Sequence, residues 1–157
     1  MIYHWKRVKI SEKTLLTWLE DMANQHSNCL RRKVAAIVRS KDGKMHPGGM
    51  NGYNSCAVRG CLREKVVSGT SLERCRGVHA EIRALLNALP YTKEGTLYVT
   101  HFPCSHCAPM IAEFGIKEVV YRYDYGDEQV SAEILVERGI TIRREQSEPS
   151  EENQSTL

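Results

Sequence analysis

The sequence predicts an α/β domain, a sheet carrying helices on both faces. Two observations point there. Between residues 33 and 144, short runs rich in β-branched residues alternate with apolar runs of helical period, in the order β-α-β-α-β-α-β. Helical runs close on Pro90, Gly115 and Gly139, the residue types that stop helices. At 157 residues the chain is long enough for one domain with a real core.

The elements follow in order. Ser11 is placed to cap a helix whose apolar residues Leu15, Trp18, Leu19 and Met22 recur at helical spacing, with an exit near His26 to Asn28. "KVAAIVRS" (33–40) reads as a buried strand, "KDGK" (41–44) as a tight turn, and a second strand should follow. Residues 46–76 are rich in Gly, Ser, Asn and Cys, which predicts an irregular insert with one short helix near Leu62 to Val67. "HAEIRALLNAL" (79–89) is a helix ended by Pro90. "GTLYVT" (95–100) is a strand, "CSHCAPMIAEFG" (104–115) a helix, and "IKEVVYRY" (116–123) a strand. "DEQVSAEILVERG" (127–139) is a helix and "ITIRR" (140–144) a strand. The domain therefore spans residues 1–144, and the polar tail 145–157 is expected to be disordered.

Formal charge is +3, but the tail carries four Glu and no base, so removing it takes the body to +7. A basic body suits an anionic partner such as a nucleotide, and equally suits plain solubility. No apolar run reaches membrane-spanning length, and "MIYHWKRVKISEK" lacks the apolar stretch of a signal peptide, so a cytoplasmic protein is expected. Six cysteines in such a chain favour metal binding over disulfides.

A catalytic zinc takes three protein ligands and an open fourth position. His79 offers nitrogen; Cys104 and Cys107 offer thiolates at a helix start, where the helix dipole favours the anion. Glu81 lies two residues past His79. Zinc lowers the pKa of bound water from 15.7 to roughly 7, and a nearby carboxylate can carry its proton to a leaving group. His-x-Glu followed by Pro-Cys-x-x-Cys is the signature of zinc deaminases. Cys29, Cys56, Cys61 and Cys75 remain, a set suited to a second, structural zinc, with His26 or His46 as substitutes for one thiol. "RRK" (31–33) offers Arg31 or Arg32 to a phosphate, or is a solvated strand entrance.

The strings "CLRRKVAAIV" (29–38), "GMNG" (49–52), "GCLRE" (60–64), "CRGVHAE" (75–81), "LYVTHFPCSHCAPMI" (97–111) and "GIKEVVYRYDY" (115–125) resemble, in this order, the deoxycytidylate deaminase branch of the cytidine-deaminase superfamily. The resemblance implies a three-layer α/β/α sandwich on a five-stranded mixed sheet. It implies hydrolysis of dCMP to dUMP and ammonia by zinc-activated hydroxide, with Glu81 as proton shuttle, supplying thymidylate synthesis. It implies backbone amides near Ala80 and Cys104 facing the base, Asn51 (with Asn54 as rival) at the sugar, and Tyr125 beside the pocket. It further implies a homohexamer, activation by dCTP, inhibition by dTTP, and Mg²⁺ with the triphosphate. Members with a second zinc carry cysteines matching Cys29 and Cys56. Two departures stand out: "GMNGYNSC" is shorter than the relatives' Gly-rich loop and lacks its Pro, and Arg83 stands where many relatives carry Asn. The competing readings are a zinc deaminase of cytidine, guanine or tRNA adenosine, and a non-catalytic zinc module that binds nucleic acid. The deaminase reading expects neither a membrane nor a nucleic-acid partner. Glu81 would be idle in the non-catalytic module, and stacking aromatics are few.

Overall fold

A computed structural model describes residues 10–126 and 128–146. Five strands form one sheet: β1 Ala35–Arg39, β2 Gly49–Met50, β3 Thr96–His101, β4 Glu118–Tyr123 and β5 Thr141–Arg144. Their order is β2-β1-β3-β4-β5. β1 runs antiparallel to β2 and β3, whereas β3, β4 and β5 are parallel. The parallel pairs need crossovers, and helices supply them. The predicted mixed sheet and sandwich are therefore present. Among the described residues, no helix is long and apolar enough to cross a membrane.

Among the described residues, helix α1 (Glu12–His26) is the one helix that covers the first face. Ser11 caps it, its hydroxyl accepting the Thr14 N–H at 3.1 Å. Leu15, Leu16, Leu19 and Ala23 pack on Ala35, Ile37, Tyr98 and Val120. The predicted stripe was rotated: Trp18 is 47% exposed, and Leu16 and Ala23 take the buried places. A 15/18/19/22 stripe and a 15/16/19/23 stripe both fit helical spacing, and the inward turn of the helix decided between them. Two arginines from the far end of the chain fasten α1. Arg143 pairs with Glu12 at 2.5 Å and Glu118 at 2.8 Å; Arg122 pairs with Glu20 at 3.0 Å and Glu145 at 2.8 Å. The Arg143 bond holds the Glu12 carboxyl below the usual carboxylate range. Glu145, expected to open the disordered tail, instead continues the β5 edge, its N–H donating to Tyr121 O at 2.8 Å. The rest of the expected tail, 147–157, lies outside the described residues.

The opposite face carries α3 (Ala80–Ala88), α4 (Cys107–Glu113) and α5 (Gln129–Glu137) over a core that includes Val38, Leu85, Leu97, Val99, Ile111 and Leu135. α3 also crosses β2 closely. A Cβ at Gly49 would stand 2.5 Å from Arg83 Cβ and 2.6 Å from Ala80 O. Gly49→Ala should therefore cost about 1–3 kcal/mol of overpacking. For a domain of this size that is a Tm drop of roughly 2–12 °C. An unchanged melting curve would mean that β2 and α3 are free to separate.

The insert differs from expectation. Its short helix is α2 (Asn54–Arg59), ended by Gly60 at φ +78°, while residues 62–65 form turns. Side chains shape that stretch. Arg31 donates to Arg63 O and to Val66 O (2.6 Å for the latter), and the buried Arg63 guanidinium donates twice to Thr70 O at 3.1 and 2.8 Å. These carbonyls are satisfied without a helical ladder. Residues 72–74 add one 3₁₀ turn.

Candidate active site and metal centre

His79 sits in extended backbone as the N-cap of α3 (φ −74°, ψ 150°), and Cys107 opens α4. Cys104 precedes that helix, its carbonyl accepting the Cys107 and Ala108 N–H groups. Two helix starts thus meet at the C-terminal end of β3. His79 Nδ1 lies 3.2 Å from Cys107 Sγ and 3.3 Å from Cys104 Sγ. All three donor atoms fall within 4.8 Å of one another. Zinc bonds of about 2.0 Å to nitrogen and 2.3 Å to sulfur at tetrahedral angles put such atoms roughly 3.5 Å apart. One nitrogen and two sulfurs in this spacing fit a zinc ion that keeps one position open.

The three donors hold protons between them. A hydrogen bond with Cys107 draws the Cys104 thiol down to about 4, and the same bond keeps Cys107 well above the ordinary thiol value. The hydrogen bond to Cys104 raises His79 to about 9. A divalent cation on these atoms takes the place of those protons. Glu81 is 5% exposed, and burial pushes its carboxyl up to about 7, opposed by the His79 charge. The combination of a buried acid and a three-donor set is suited to moving protons beside a metal.

His79, Glu81 and Cys104 line one cavity of about 240 Å³. That is small beside typical ligand pockets of roughly 300–1,000 Å³, which suits a single small molecule. Asn51, Arg31, Arg32 and Tyr125, the residues expected at the substrate, line it too. Their tasks differ. The Asn51 carbonyl accepts Ser27 Oγ at 2.6 Å and Val34 N at 2.9 Å, while its amide donates to Arg32 O at 2.7 Å. Asn51 therefore pins the start of β1, and its second amide hydrogen has no partner among the described residues. The rival Asn54 bonds exposed Asn28 and is not in the cavity wall. Arg31 is engaged by the loop carbonyls described above. Arg32 lies over the Tyr125 ring, 4.8 Å from its centroid. The Ala80 side chain is fully buried and absent from the cavity wall, so any role it has is through its backbone. Gly52 forms part of the wall at φ +123°, which side chains rarely adopt, and Arg83 donates to its carbonyl at 2.8 Å. Arg83, noted above as standing where many relatives carry Asn, is thus a brace for the cavity rim.

Cys29, Cys56, Cys61 and Cys75 all line this same cavity. Yet among the described residues they form no metal-holding group of three like His79, Cys104 and Cys107. Some have other neighbours: Cys61 Sγ accepts the Arg63 N–H at 3.4 Å, and Cys75 Sγ lies 4.0 Å from Gly77 O. His46 stacks on Tyr91 with ring centroids 5.3 Å apart, and His26 is exposed. Wall residues that sequence reasoning missed include Phe102, Arg74 and Arg76. The two arginines flank Cys75 in "ERCRGVHAE" (73–81), a basic approach to the motif that could have flagged them. His101 also lines the wall, and burial, reinforced by Arg32, pulls it down to about 4.

Comparison with known proteins agrees with this geometry. Residues 9–123 match the cytidine and deoxycytidylate deaminase zinc-binding region. ComE operon protein 2 of Bacillus subtilis is 35% identical over 137 residues, covering 78% of this chain and 68% of that protein. The deoxycytidylate deaminase of Saccharomyces cerevisiae is 33% identical over 132 residues, and the match spans only 42% of its length. The crystal structure of dCMP deaminase from cyanophage S-TIM5 with dCMP and dUMP superposes with a TM-score of 0.66 at 28% identity, covering 90% of this chain and 99% of that one. A match that runs over residues 9–123, with His79, Cys104 and Cys107 brought together on this sheet, makes the chain a member of the cytidine and deoxycytidylate deaminase family.

Proposed function

We propose that the protein hydrolyses dCMP to dUMP and ammonia. The observation that carries this is buried Glu81 in one small cavity with His79, Cys104 and the Arg32 guanidinium. The named activities of the yeast and cyanophage relatives support the choice of dCMP.

His79, Cys104 and Cys107 would hold the zinc ion, which supplies a Lewis acid that makes water acidic near neutral pH. Glu81 accepts a proton from the attacking water and delivers it to N3 of the pyrimidine. It then assists proton transfer to the departing 4-amino group. Its burial keeps bulk water from competing for those protons. Phe102, a buried member of the wall, gives the base an apolar surface. The one amide hydrogen left on Asn51 suits the sugar, and Arg32, on its Tyr125 platform, adds positive charge.

Ammonia release from dCMP, cytidine, guanine and an anticodon stem-loop tests the reading. Turnover of dCMP in clear preference to the others is expected; turnover of another substrate with none of dCMP sinks it. The likeness to relatives extends the proposal to a hexamer that feeds thymidylate synthesis, activated by dCTP and inhibited by dTTP with Mg²⁺. The same assay with either triphosphate, and light scattering of the protein alone, check those parts. Rates indifferent to both nucleotides would remove the regulation and leave the chemistry.

A further inference from the structure

Residues 102–104 carry the chain from the end of β3 to the metal donor Cys104, and little of their path is left free. The Phe102 N–H donates to Tyr123 O on β4 at 2.8 Å. A residue before proline is confined to extended backbone, and the proline ring fixes its own φ. The main rotation that remains before Cys104 is therefore ψ of Pro103, which turns the Pro103 carbonyl. One side chain holds that carbonyl. Ser131, on α5, is 0% exposed, and its hydroxyl donates to Pro103 O at 2.7 Å across 28 residues of sequence. For α5 itself alanine would be the better residue, since it favours helix more and leaves no buried hydroxyl to satisfy.

The same bond aims an amide. Among the described residues the cis peptide is Leu89–Pro90, so Pro103–Cys104 is trans and its C=O and N–H point in opposite directions. With the carbonyl turned to α5, the Cys104 N–H points away from α5. No residue of α5 lines the cavity, whereas Cys104 does. Cys104 is only 7% exposed, yet among the described residues its N–H has no hydrogen-bond partner. A backbone donor in such a place costs free energy until something accepts from it. Resting on the deamination reading above, we infer that Ser131 is a positioning residue for the reaction: through the Pro103 carbonyl it sets Cys104 so that the thiolate meets the metal and the N–H meets the molecule bound in the cavity.

The test compares the parent protein with Ser131→Ala, Ser131→Thr and Ser131→Val, and with Leu135→Val as a packing control on the same helix. The readouts are zinc affinity by competition with a chelator, the visible spectrum of the cobalt(II)-loaded protein, Tm, and kcat for dCMP. The cobalt bands report the geometry of the nitrogen and sulfur ligands directly. In Ser131→Ala zinc affinity and kcat should each fall about tenfold, the low end for a group that orients a metal ligand, and the cobalt bands should shift. Ser131→Thr and Ser131→Val have nearly the same shape and differ by the hydroxyl, so the first should stay near the parent and the second follow Ser131→Ala. Leu135→Val should lower Tm and leave the cobalt bands parental. Parental zinc affinity and parental bands in Ser131→Ala overturn the inference. Equal band shifts in Ser131→Ala and Leu135→Val overturn it too, because they would mark a general loosening of α5. If Ser131→Ala does not fold, equal zinc affinity in Ser131→Thr and Ser131→Val overturns it. A parent protein inert towards dCMP removes the reading of the reaction, and this inference with it. A parent that deaminates dCMP, alongside a Ser131→Ala with parental affinity, bands and kcat, removes the inference alone.

Discussion

Glu81→Gln should lower the deamination rate by about 10²- to 10⁴-fold while leaving fold and zinc content at parental levels. The substitution is nearly isosteric, so the packing around this 5%-exposed side chain is preserved. What it removes is the capacity to accept a proton. Glu81 is not one of the three donors that lie within 4.8 Å of one another, so the metal set stays complete. Burial of a charged carboxylate is itself costly, so the variant should melt no lower than the parent. Rate measurements at saturating dCMP, with zinc measured by mass spectrometry on the same samples, separate the two effects. A variant with parental zinc and parental rate would show that another group moves the protons.

Cys104→Ser should have an equally large effect by a different route. It removes one of two thiolates from a three-donor set, and a hydroxyl is a poor replacement for a soft sulfur. Zinc at this centre should fall from about one per chain to near zero, and deamination with it. Thermal stability should lose its dependence on added zinc, because an ion stabilises only the state that binds it. The same experiment addresses the other four cysteines. A second equivalent of zinc in the parent that survives in Cys104→Ser would mark a structural site at Cys29, Cys56, Cys61 and Cys75. A parent with one zinc, all of it lost in the variant, makes those four ordinary thiols. Full zinc retention and activity in Cys104→Ser would dissolve the catalytic assignment.

The legible parts of the sequence were those where residue type alone restricts the chemistry. His79, Glu81, Cys104 and Cys107 could be read because imidazole, carboxylate and paired thiols at helix starts have few joint uses, and the structure brings the three metal donors together. The sheet was legible from its β-branched runs, and strand ends moved by only a few residues. The insert was not. Its path depends on guanidinium-to-carbonyl bonds such as Arg31 to Val66, 35 residues apart, which leave no local periodic trace. Arg31 itself was ambiguous for the same reason: a guanidinium suits a phosphate and a pair of carbonyls alike, and only the fold decides. Trp18 was misplaced because helical spacing sets a stripe's width but not which way it faces.

The ion pairs that fasten α1 have a temporal side. Glu12 waits for Arg143, a partner 131 residues downstream. At translation speeds of roughly 5–20 residues per second, that partner leaves the ribosome about 7–26 s after the acid does. For that interval Glu12 lacks the guanidinium that β5 brings to it. The fastening of α1 is thus timed by β5, and a ribosome stalled just short of codon 143 would carry a chain in which α1 is unfastened at that end.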